Sequence, residues 1–396
     1  MKTAAWGFVL LLAAATAAAA QDQQLGARTK AMGGSYTAFE DDPVSVWLNP
    51  AGIATQPNAV SLDYQTYVTY PLHETKGSGG TTVGFSAKAE TTFIDPALLP
   101  SYLGFVFHIG APDSGMALGI CYAQPYHLNY SFDQVNDPAQ TQFVPDSNVD
   151  QSFGRFRAAF AKDFRFRKPG EPGFFTHLSA AAALDLGYER WEFKSTSRSA
   201  SDNATGLGGG VGLLLGVYDN VDDLRVNFGV AWQSGVRFGF SIDPDILPAF
   251  DMPQQVNTGA TFYLLKGSPL RATIDLQWID WSETADVPLF PGKKKFRDAF
   301  NYSAGFEYRV NAGDGINLYP RVGYRRVNAA WSDKNNLPMT SDFQLVLDTK
   351  GSAFNIFTLG GGISWSSDDG RVRAVDLGAD VGGDSYTIAF GVTYEF

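Results

Sequence analysis

Apolar and polar residues alternate with a period of two along most of the chain after residue 59. The alternation is clearest in LRVNFGVAWQ at 224–233 and in YTIAFGVTYEF at 386–396. Successive side chains of a β-strand point to opposite faces, so each of these segments is predicted to be a strand with one apolar face and one small or polar face. The fold class is therefore predicted to be all-β.

Fourteen segments have this pattern, and the connections between them constrain the fold further. The predicted strands lie near 59–71, 102–111, 115–126, 151–164, 175–191, 205–218, 222–238, 254–266, 269–283, 299–311, 316–328, 354–366, 371–382 and 384–396. The connections after the second, sixth, eighth, tenth and twelfth strands are tight turns, whereas most others run to roughly ten to thirty residues. Two connections fit less well, because 165–173 is long for a turn and 382–384 is short for a loop.

Short periplasmic turns that alternate with long outer loops are typical of bacterial outer-membrane proteins. The sequence therefore predicts a transmembrane antiparallel up-and-down β-barrel of about 14 strands, in the outer membrane of a Gram-negative-type cell. A secreted soluble β protein would also show the alternation, but not the regular change of connection length.

The ends of the chain and its composition agree with export. The first twenty residues, MKTAAWGFVLLLAAATAAAA, combine one basic residue with an apolar run and small residues, so 1–20 is predicted to be a signal peptide. Without Lys2, 29 basic residues stand against 41 acidic ones, a net charge near −12 that argues against nucleic acid as a partner. Cys121 is the single cysteine, so no intrachain disulfide is expected.

Aromatic residues support a membrane location. Phe396 would share the apolar face of the last strand with Val392 and Phe390, as expected of a barrel inserted by the barrel assembly machinery. Other aromatics gather where predicted strands end and would form girdles at the two surfaces of the lipid bilayer. They are Tyr67, Tyr70, Trp191, Phe193, Trp278, Trp281, Tyr324, Trp365 and Tyr386.

Residues with catalytic or metal-binding chemistry show no functional spacing. The four histidines lie far apart, so no metal site and no cofactor are expected. The glycine run at 206–212 lacks the spacing of a nucleotide-binding loop and is interpreted as strand glycines that let the wall bend. Since no nucleophile motif is present, the chain is not expected to be an enzyme.

Four arginines fall on predicted inward faces: Arg155 and Arg157 in one strand, and Arg321 and Arg325 in another. One interpretation pairs them with carboxylates in the lumen, such as Asp185 and Glu307. The other makes them docking charges for an anionic head group of a ligand.

Short motifs near the amino terminus resemble a known group of barrels. They are GAR at 26–28, AMGGSYTA at 31–38, DDP at 41–43 and NPAG at 49–52. In order and spacing they resemble the start of the FadL/PorV superfamily, which includes outer-membrane transporters of long-chain fatty acids and aromatic hydrocarbons. DLQWIDWS at 275–282, and RD at 297–298 followed by GFEY at 305–308 and RVGY at 321–324, resemble strand motifs of the transporter branch.

The resemblance implies that residues 21–57 form a hatch inside the lumen of a barrel made by 58–396. In this hatch Gly33 and Gly34 would bend the chain, Asp42 would cap a short helix and Pro43 would be its first residue. Trp47 would press an apolar side against the wall. The predicted hatch residues are Met32, Gly33, Gly34, Asp42, Pro43, Trp47, Asn49, Pro50 and Ala51.

The resemblance also implies a function, with two alternatives. The first interpretation is passive uptake of hydrophobic small molecules, long-chain fatty acids or related hydrocarbons, through a barrel set in outer-membrane lipid and gated by the hatch. The GAR and MGG motifs are closer to the PorV-like branch, which implies a barrel that binds a secretion-system subunit. A plain hydrophilic diffusion pore is the third possibility.

Transporters of this superfamily release their ligand sideways, through a gap where the third strand kinks. Pro125 follows the predicted third strand, and proline cannot donate a hydrogen bond to a β-ladder. It is therefore the candidate for a lateral gap, unless it only ends the strand at the outer rim. The apolar loop stretches 93–99 and 246–250 are candidate outer contacts for a ligand.

Overall fold

The computed structural model describes residues 24–69, 72–77, 82–90, 100–110, 114–132, 135–136, 143–144, 147–168, 171–195, 199–220, 223–239, 251–265, 267, 269–283, 298–328, 337–339, 343–345, 353–367, 370–382 and 385–396. The predicted signal peptide at 1–20 and the loop stretches 93–99 and 246–250 lie outside these residues.

Short helices precede the first strand. They are α1 at Ala27–Ala31, α2 at Ser45–Leu48 and a 3₁₀ helix at Pro50–Thr55. A second 3₁₀ helix, at Trp281–Glu283, follows the strand that ends at Ile279. None of the helices in the described ranges is long and apolar enough to cross a membrane.

Fourteen of the described strands form the wall of the molecule. They are β1 Ala59–Thr69, β2 Tyr102–His108, β3 Met116–Phe132, β4 Ser147–Arg165, β5 Gly173–Ser195, β6 Ser199–Asn220, β7 Leu224–Gln233, β8 Gln255–Leu264, β9 Leu270–Ile279, β10 Ala299–Tyr308, β11 Ile316–Asn328, β12 Ala353–Ser366, β13 Val372–Gly382 and β14 Ser385–Glu395. Further described strands are Leu72–Gly77, Thr82–Glu90, Val135–Asn136, Phe143–Val144, Val310–Gly313, Leu337–Met339 and Phe343–Leu345.

Each wall strand pairs antiparallel with the next one along the chain. The last strand, β14, pairs with β1 from Ala59↔Glu395 to Thr69↔Ser385, which closes the sheet. The predicted fold, a closed antiparallel barrel of fourteen strands, is confirmed.

The strand boundaries differ from the prediction in two regions. Strands β3 to β6 have 17, 19, 23 and 22 residues, whereas about 9–11 tilted residues cross a bilayer, so their hairpins continue beyond it. Conversely, β7 ends at Gln233 and not near 238. The reason is that the chain leaves the sheet there, and Val236 forms an isolated bridge with Met252.

The two faces of the wall differ as the alternation predicts. Leu184 and Leu207 are 77% and 80% exposed on the outer face, while the neighbouring inward Asp185 is buried. An exposed apolar band of this kind belongs in lipid, and the closed sheet satisfies the backbone hydrogen bonds that lipid cannot. The wall is therefore that of a transmembrane barrel.

The predicted aromatic girdles need correction. Trp191 and Trp281 are each 3% exposed, so they are buried and do not face lipid. Trp191 is buried because it lies on the inward face of β5, the face that also carries Asp185 and Glu189. Tyr70 lies outside the described residues, as do the side chains of Tyr67, Phe193 and Tyr386.

The two ends of the barrel are distinguished by their connections. We call the end with the tight connections, such as that between β8 and β9, the turn end. The opposite end, where the long connections lie, is the loop end. β1 begins and β14 ends at the turn end. The chain segment that carries the first helices is therefore connected to the barrel at that end.

Candidate functional site

Residues 24–56, here called the luminal segment, lie against the inner face of the barrel. Leu25, Met32, Trp47 and Ile53 are buried in this segment. Trp47 and Ile53 belong to an apolar cluster with small inward residues of β3 to β5, including Ala117, Cys121, Ala159 and Ala183. Since one segment contacts strands on several sides of the wall, it occupies the lumen.

Two aspartates of the wall bind the backbone of the luminal segment. Asp275 Oδ2 on β9 accepts hydrogen bonds from the Tyr36 and Thr37 amides, both at 2.8 Å, and from Thr37 Oγ1 at 2.6 Å. Asp63 Oδ1 on β1 accepts one from the Ala27 amide at 2.8 Å. The sequence analysis missed both residues, although a carboxylate at an inward position between small or polar neighbours was a detectable signal.

Glycines of the wall make room for the segment. A side chain on Gly305 or Gly323 would collide with the backbone of Met32 or Gly33, and one on Gly212 would meet Asn49 and Ala51. The glycine run at 206–212 was interpreted as bends in the wall. In the structure Gly206, Gly208 and Gly212 lie close to residues inside the barrel, and their effect on the curvature of the wall stays a prediction.

The predicted bend is present at the paired glycines. Gly33 and Gly34 have φ of 71° and 81°, a region that favours glycine. Next to this bend, Met32 packs with Tyr36 and Phe39, and the last two rings stack at 4.0 Å between centroids. The bend lets the chain turn back within the lumen.

The short helix begins two residues later than predicted. Asp42 Oδ1 accepts a hydrogen bond from the Val44 amide at 2.9 Å, so it caps a turn at Pro43, and α2 itself starts at Ser45. Asp42 Oδ2 also accepts a hydrogen bond from Tyr36 Oη at 2.8 Å. Burial raises the pKa of the Asp42 carboxyl above its ordinary value.

Asn49 ends α2 and also binds the wall. Its Oδ1 accepts a hydrogen bond from the Ala51 amide at 3.2 Å, which caps the 3₁₀ helix that starts at Pro50. Its Nδ2 donates to Thr37 O at 2.7 Å and to Leu213 O of β6 at 3.1 Å. One amide side chain therefore connects two parts of the segment to the wall.

Arg155 and Arg157 pair with Asp185, as one interpretation of the sequence held. Arg157 Nε and Nη2 donate to Asp185 at 2.7 and 2.8 Å, and Arg155 Nη1 donates at 3.2 Å. Arg157 also donates to Trp47 O at 2.7 Å, and its guanidinium carbon lies 4.9 Å from the Trp47 ring centroid. This pair therefore holds the luminal segment.

A second ion cluster surrounds Glu307. It receives hydrogen bonds from Arg28 Nε and Nη2, both at 2.9 Å, and from Arg321 Nε at 2.6 Å. Arg271 Nη1 lies 3.1 Å from Glu307 Oε1. The pairing of Arg321 with Glu307 agrees with the interpretation of the sequence, and Arg28 adds a contact from the luminal segment.

Arg325 belongs to a neighbouring pair. Its Nη2 lies 2.9 Å from Asp380 Oδ2, which also accepts a hydrogen bond from Lys30 Nζ of the luminal segment at 3.1 Å. All four predicted arginines are thus engaged by carboxylates. Their role in docking an anionic head group stays a prediction.

Glu40 provides a third ionic contact between segment and wall. It lies 3.4 Å from His177 Nε2 and 3.1 Å from Arg225 Nη2. Burial opposes ionisation of Glu40, but the contact with His177 and the charge of Arg225 hold the pKa of this carboxyl below its ordinary value.

This shift predicts a pH dependence. A carboxyl with a lowered pKa in the folded state contributes stability above its unfolded pKa of about 4.3, and the contribution is lost as the pH falls through the folded pKa. We expect hydrogen exchange of 24–56 to accelerate below about pH 4, and Glu40→Gln to raise the neutral-pH exchange rate about tenfold. Glu171→Gln, at an exposed surface pair, is the control; equal rates in the two variants would contradict the prediction.

Pro125 does not end the third strand, since β3 continues to Phe132. The pairing of β3 with β4 shifts between Ala123 and Tyr126, so that Gln124 and Pro125 form a bulge. On its other side, β3 pairs with β2 only as far as Ala123. The sheet is thus irregular on both sides of Pro125, and the lateral gap there stays a prediction.

A small cavity of about 40 Å³ lies between the luminal segment and the inner face of β8 to β11. It is the site that the sequence did not indicate, because its lining comes from segments far apart along the chain. Among the described residues no group of three His, Cys, Asp or Glu side chains is placed to hold a metal ion.

Comparison with known proteins places the fold. No protein-family profile and no curated protein matches the chain. Among solved structures, a FadL homologue of Pseudomonas aeruginosa matches with a TM-score of 0.60 and 11% identity, covering 95% of this chain and 100% of that one.

Two aromatic-hydrocarbon transporters match over a similar length. The toluene transporter TbuX of Ralstonia pickettii has a TM-score of 0.57 and 16% identity, covering 94% of this chain and 99% of its own. The toluene transporter TodX of Pseudomonas putida has a TM-score of 0.57 and 14% identity, with the same coverage. These structures give no support to the secretion alternative. The chain therefore has the fold of the FadL-type outer-membrane barrels, with its luminal segment inside the wall.

Proposed function

We propose that the chain is an outer-membrane channel for passive uptake of hydrophobic small molecules, long-chain fatty acids or related hydrocarbons, and that the luminal segment is its gate. The observation that carries the proposal is the way in which this segment is held. Besides an apolar cluster with β3 to β5, the segment is held by hydrogen bonds and ion pairs from the wall, at Arg157, Asp275 and Glu307.

Polar attachment suits a gate. Discrete polar contacts can be exchanged for water one at a time, and the apolar cluster with β3 to β5 is confined to one part of the segment, around Trp47 and Ile53. The names of the matching structures, a FadL homologue and toluene transporters, support the ligand class.

The proposed exit is the bulge at Pro125. Three observations support it: Pro125 has no amide hydrogen to donate, β2 stops pairing at Ala123, and the register with β4 shifts at the same level. A ligand that leaves the lumen there would pass directly into outer-membrane lipid and would not cross the turn end.

The proposal is tested by uptake in cells that lack their own fatty-acid channel. Cells that express the chain are expected to take up labelled oleate several-fold faster than cells with an empty vector, with no gain for a hydrophilic sugar of similar mass. Pro125→Val should reduce oleate uptake, whereas Pro320→Val, at a proline in β11, should not. Equal gains for oleate and sugar would support the plain pore, and no gain for either, with the barrel correctly inserted, would reject transport.

A further inference from the structure

Exposed aromatic and basic side chains lie together at the turn end of the β4–β5 hairpin, around the connection 165–173 that is long for a turn. Four phenylalanine side chains there are 49%, 58%, 63% and 58% exposed, and they are Phe164, Phe166, Phe174 and Phe175. Two basic residues, Arg167 and Lys168, lie between them in the chain. We call these six residues the turn-end patch.

A bulge in β5 leads into the patch. The pairing of β5 with β6 shifts register there, so that two residues of β5, Phe175 and Thr176, lie opposite one residue of β6. Phe175 has a φ of 53°, in the region that favours glycine and disfavours a bulky side chain. Since its ring is more exposed than buried, packing within the barrel does not explain a phenylalanine at this position.

Lys162 marks the edge of the lipid-facing band next to the patch. Its side chain lies on the same outward face of β4 as Phe160 and Phe164, and its ammonium group donates a hydrogen bond to Ser114 O. Because Lys162 pairs with Met116, Ser114 is two residues closer to the turn end. Lysines at the edge of a bilayer extend toward the head groups in this way. The patch, which continues from Phe164 toward the turn end, therefore lies at the level of the lipid head groups.

The two cations of the patch are available to an anion. Lys168 is exposed, and its ammonium group makes no hydrogen bond or ion pair with any other residue that the structure describes. Arg167 Nε donates to Phe174 O at 3.1 Å, which holds the guanidinium beside the exposed rings. The ion pair of Arg167 with Glu171 is 3.6 Å long between side chains that are 38% and 51% exposed, so it is weak.

The charge of this region contrasts with that of the whole chain. Four of the seven residues at 162–168, KDFRFRK, are basic, whereas the chain has a net charge of −11. The chain as a whole would repel an anionic surface, so attraction at this end depends on the local basic residues. Basic clusters at the edge of a membrane-spanning segment attract anionic lipids. The exposed rings beside them offer apolar contact to the acyl chains of such a lipid.

We propose that the turn-end patch is a binding site for an anionic phospholipid. Arg167 and Lys168 bind its phosphate, and its acyl chains lie against the exposed phenylalanine rings. A soluble phosphate would use the two cations alone, so the four rings favour a lipid as the occupant. A lipid bound there fixes the depth of the turn end in the bilayer, whether or not the barrel transports a ligand.

Native mass spectrometry of the full barrel, released from nanodiscs of equal parts phosphatidylglycerol and phosphatidylcholine, measures which lipid is retained. We expect several-fold more phosphatidylglycerol than phosphatidylcholine. Arg167→Gln combined with Lys168→Gln should lower the retention of phosphatidylglycerol about twentyfold, because each basic residue near an anionic lipid contributes about a fivefold factor. Lys168→Gln alone should lower it about fivefold, and this variant serves where the double variant does not fold.

Arg190→Gln combined with Lys194→Gln, an exposed basic pair near the other end of β5, is the matched control and should leave the preference unchanged. Phe175→Gly tests the apolar part of the site. Since glycine suits the backbone at 175, this variant should unfold in detergent no more easily than the unmodified chain, yet retain less phosphatidylglycerol. Equal retention of the two lipids, an equal loss in the control pair, or displacement of the lipid by millimolar glycerol 3-phosphate would overturn the proposal.

Discussion

Replacement of Glu307 by Leu is expected to open the barrel to ions. Glu307 is 1% exposed and joins Arg28 of the luminal segment to Arg271 and Arg321 of the wall. Removing one partner of a buried ion-pair cluster costs up to about 3–5 kcal/mol. The cost is smaller here, because Arg28 and Arg271 keep Asp41 as a partner and Arg321 keeps Asp376. Arg28 is relieved of this cost when the segment leaves the wall, so the open state should gain about 10–10²-fold in population.

Single-channel recording in planar bilayers measures this effect as a rise in the fraction of time spent conducting. Glu192→Leu is the matched control, because Glu192 pairs with Arg190 and Lys194 at a more exposed position on β5. Its conductance should stay at the level of the unmodified chain. An E307L protein that folds normally and stays closed would show that the ion cluster does not hold the segment.

Replacement of Arg157 by Leu is expected to have the second large effect, this time on stability. The guanidinium binds Asp185 through two nitrogen atoms and also binds Trp47 O. Its loss leaves the buried Asp185 with Arg155, whose contact is longer at 3.2 Å. A loss of about 3–5 kcal/mol in the free energy of unfolding is expected, measured by urea unfolding in lipid vesicles.

A double-mutant cycle isolates the pair. Asp185→Leu combined with Arg157→Leu removes both charges, so the loss should be smaller than the sum of the two single losses by about 1–3 kcal/mol. Arg190→Leu, at an exposed position on the same strand as Asp185, should change the stability by less than about 1 kcal/mol. Strictly additive losses in the cycle would contradict the importance of the Arg157–Asp185 pair.

The barrel could be predicted from the sequence because its main determinant is local. Alternation within ten residues sets which side chains face lipid, and connection lengths set the order of neighbours, so all fourteen strands were located. The ends of β3 to β6 could not be predicted from the sequence, because pairing beyond the membrane depends on the partner strand. The bulge at Pro125 likewise depends on how β4 pairs with β3.

The site was only partly predictable, for a different reason. An inward charge is visible in the pattern, so Arg157 and Arg321 could be named together with their partners Asp185 and Glu307. Which part of the luminal segment meets each charge depends on the path of that segment through three dimensions. The contacts of Asp275 with Tyr36 and Thr37, 239 and 238 residues apart, have no local signal.

The position of α1 has a consequence for how the barrel closes. The first and last strands meet along a single seam, and α1 lies behind it, with the Ala27 amide bound to Asp63 on β1 and Lys30 bound to Asp380 on β13. A side chain on Gly378 would collide with the Ala27 carbonyl of this helix, and one on Gly391 would collide with the Asp63 carboxylate that binds the helix. The helix contacts strands on both sides of the seam. Its binding therefore stabilises the pairing of β1 with β14, the two wall strands farthest apart in the chain. Any opening of the gate that displaces α1 should therefore also loosen the seam, whereas an opening confined to 33–56 would leave the closed barrel intact.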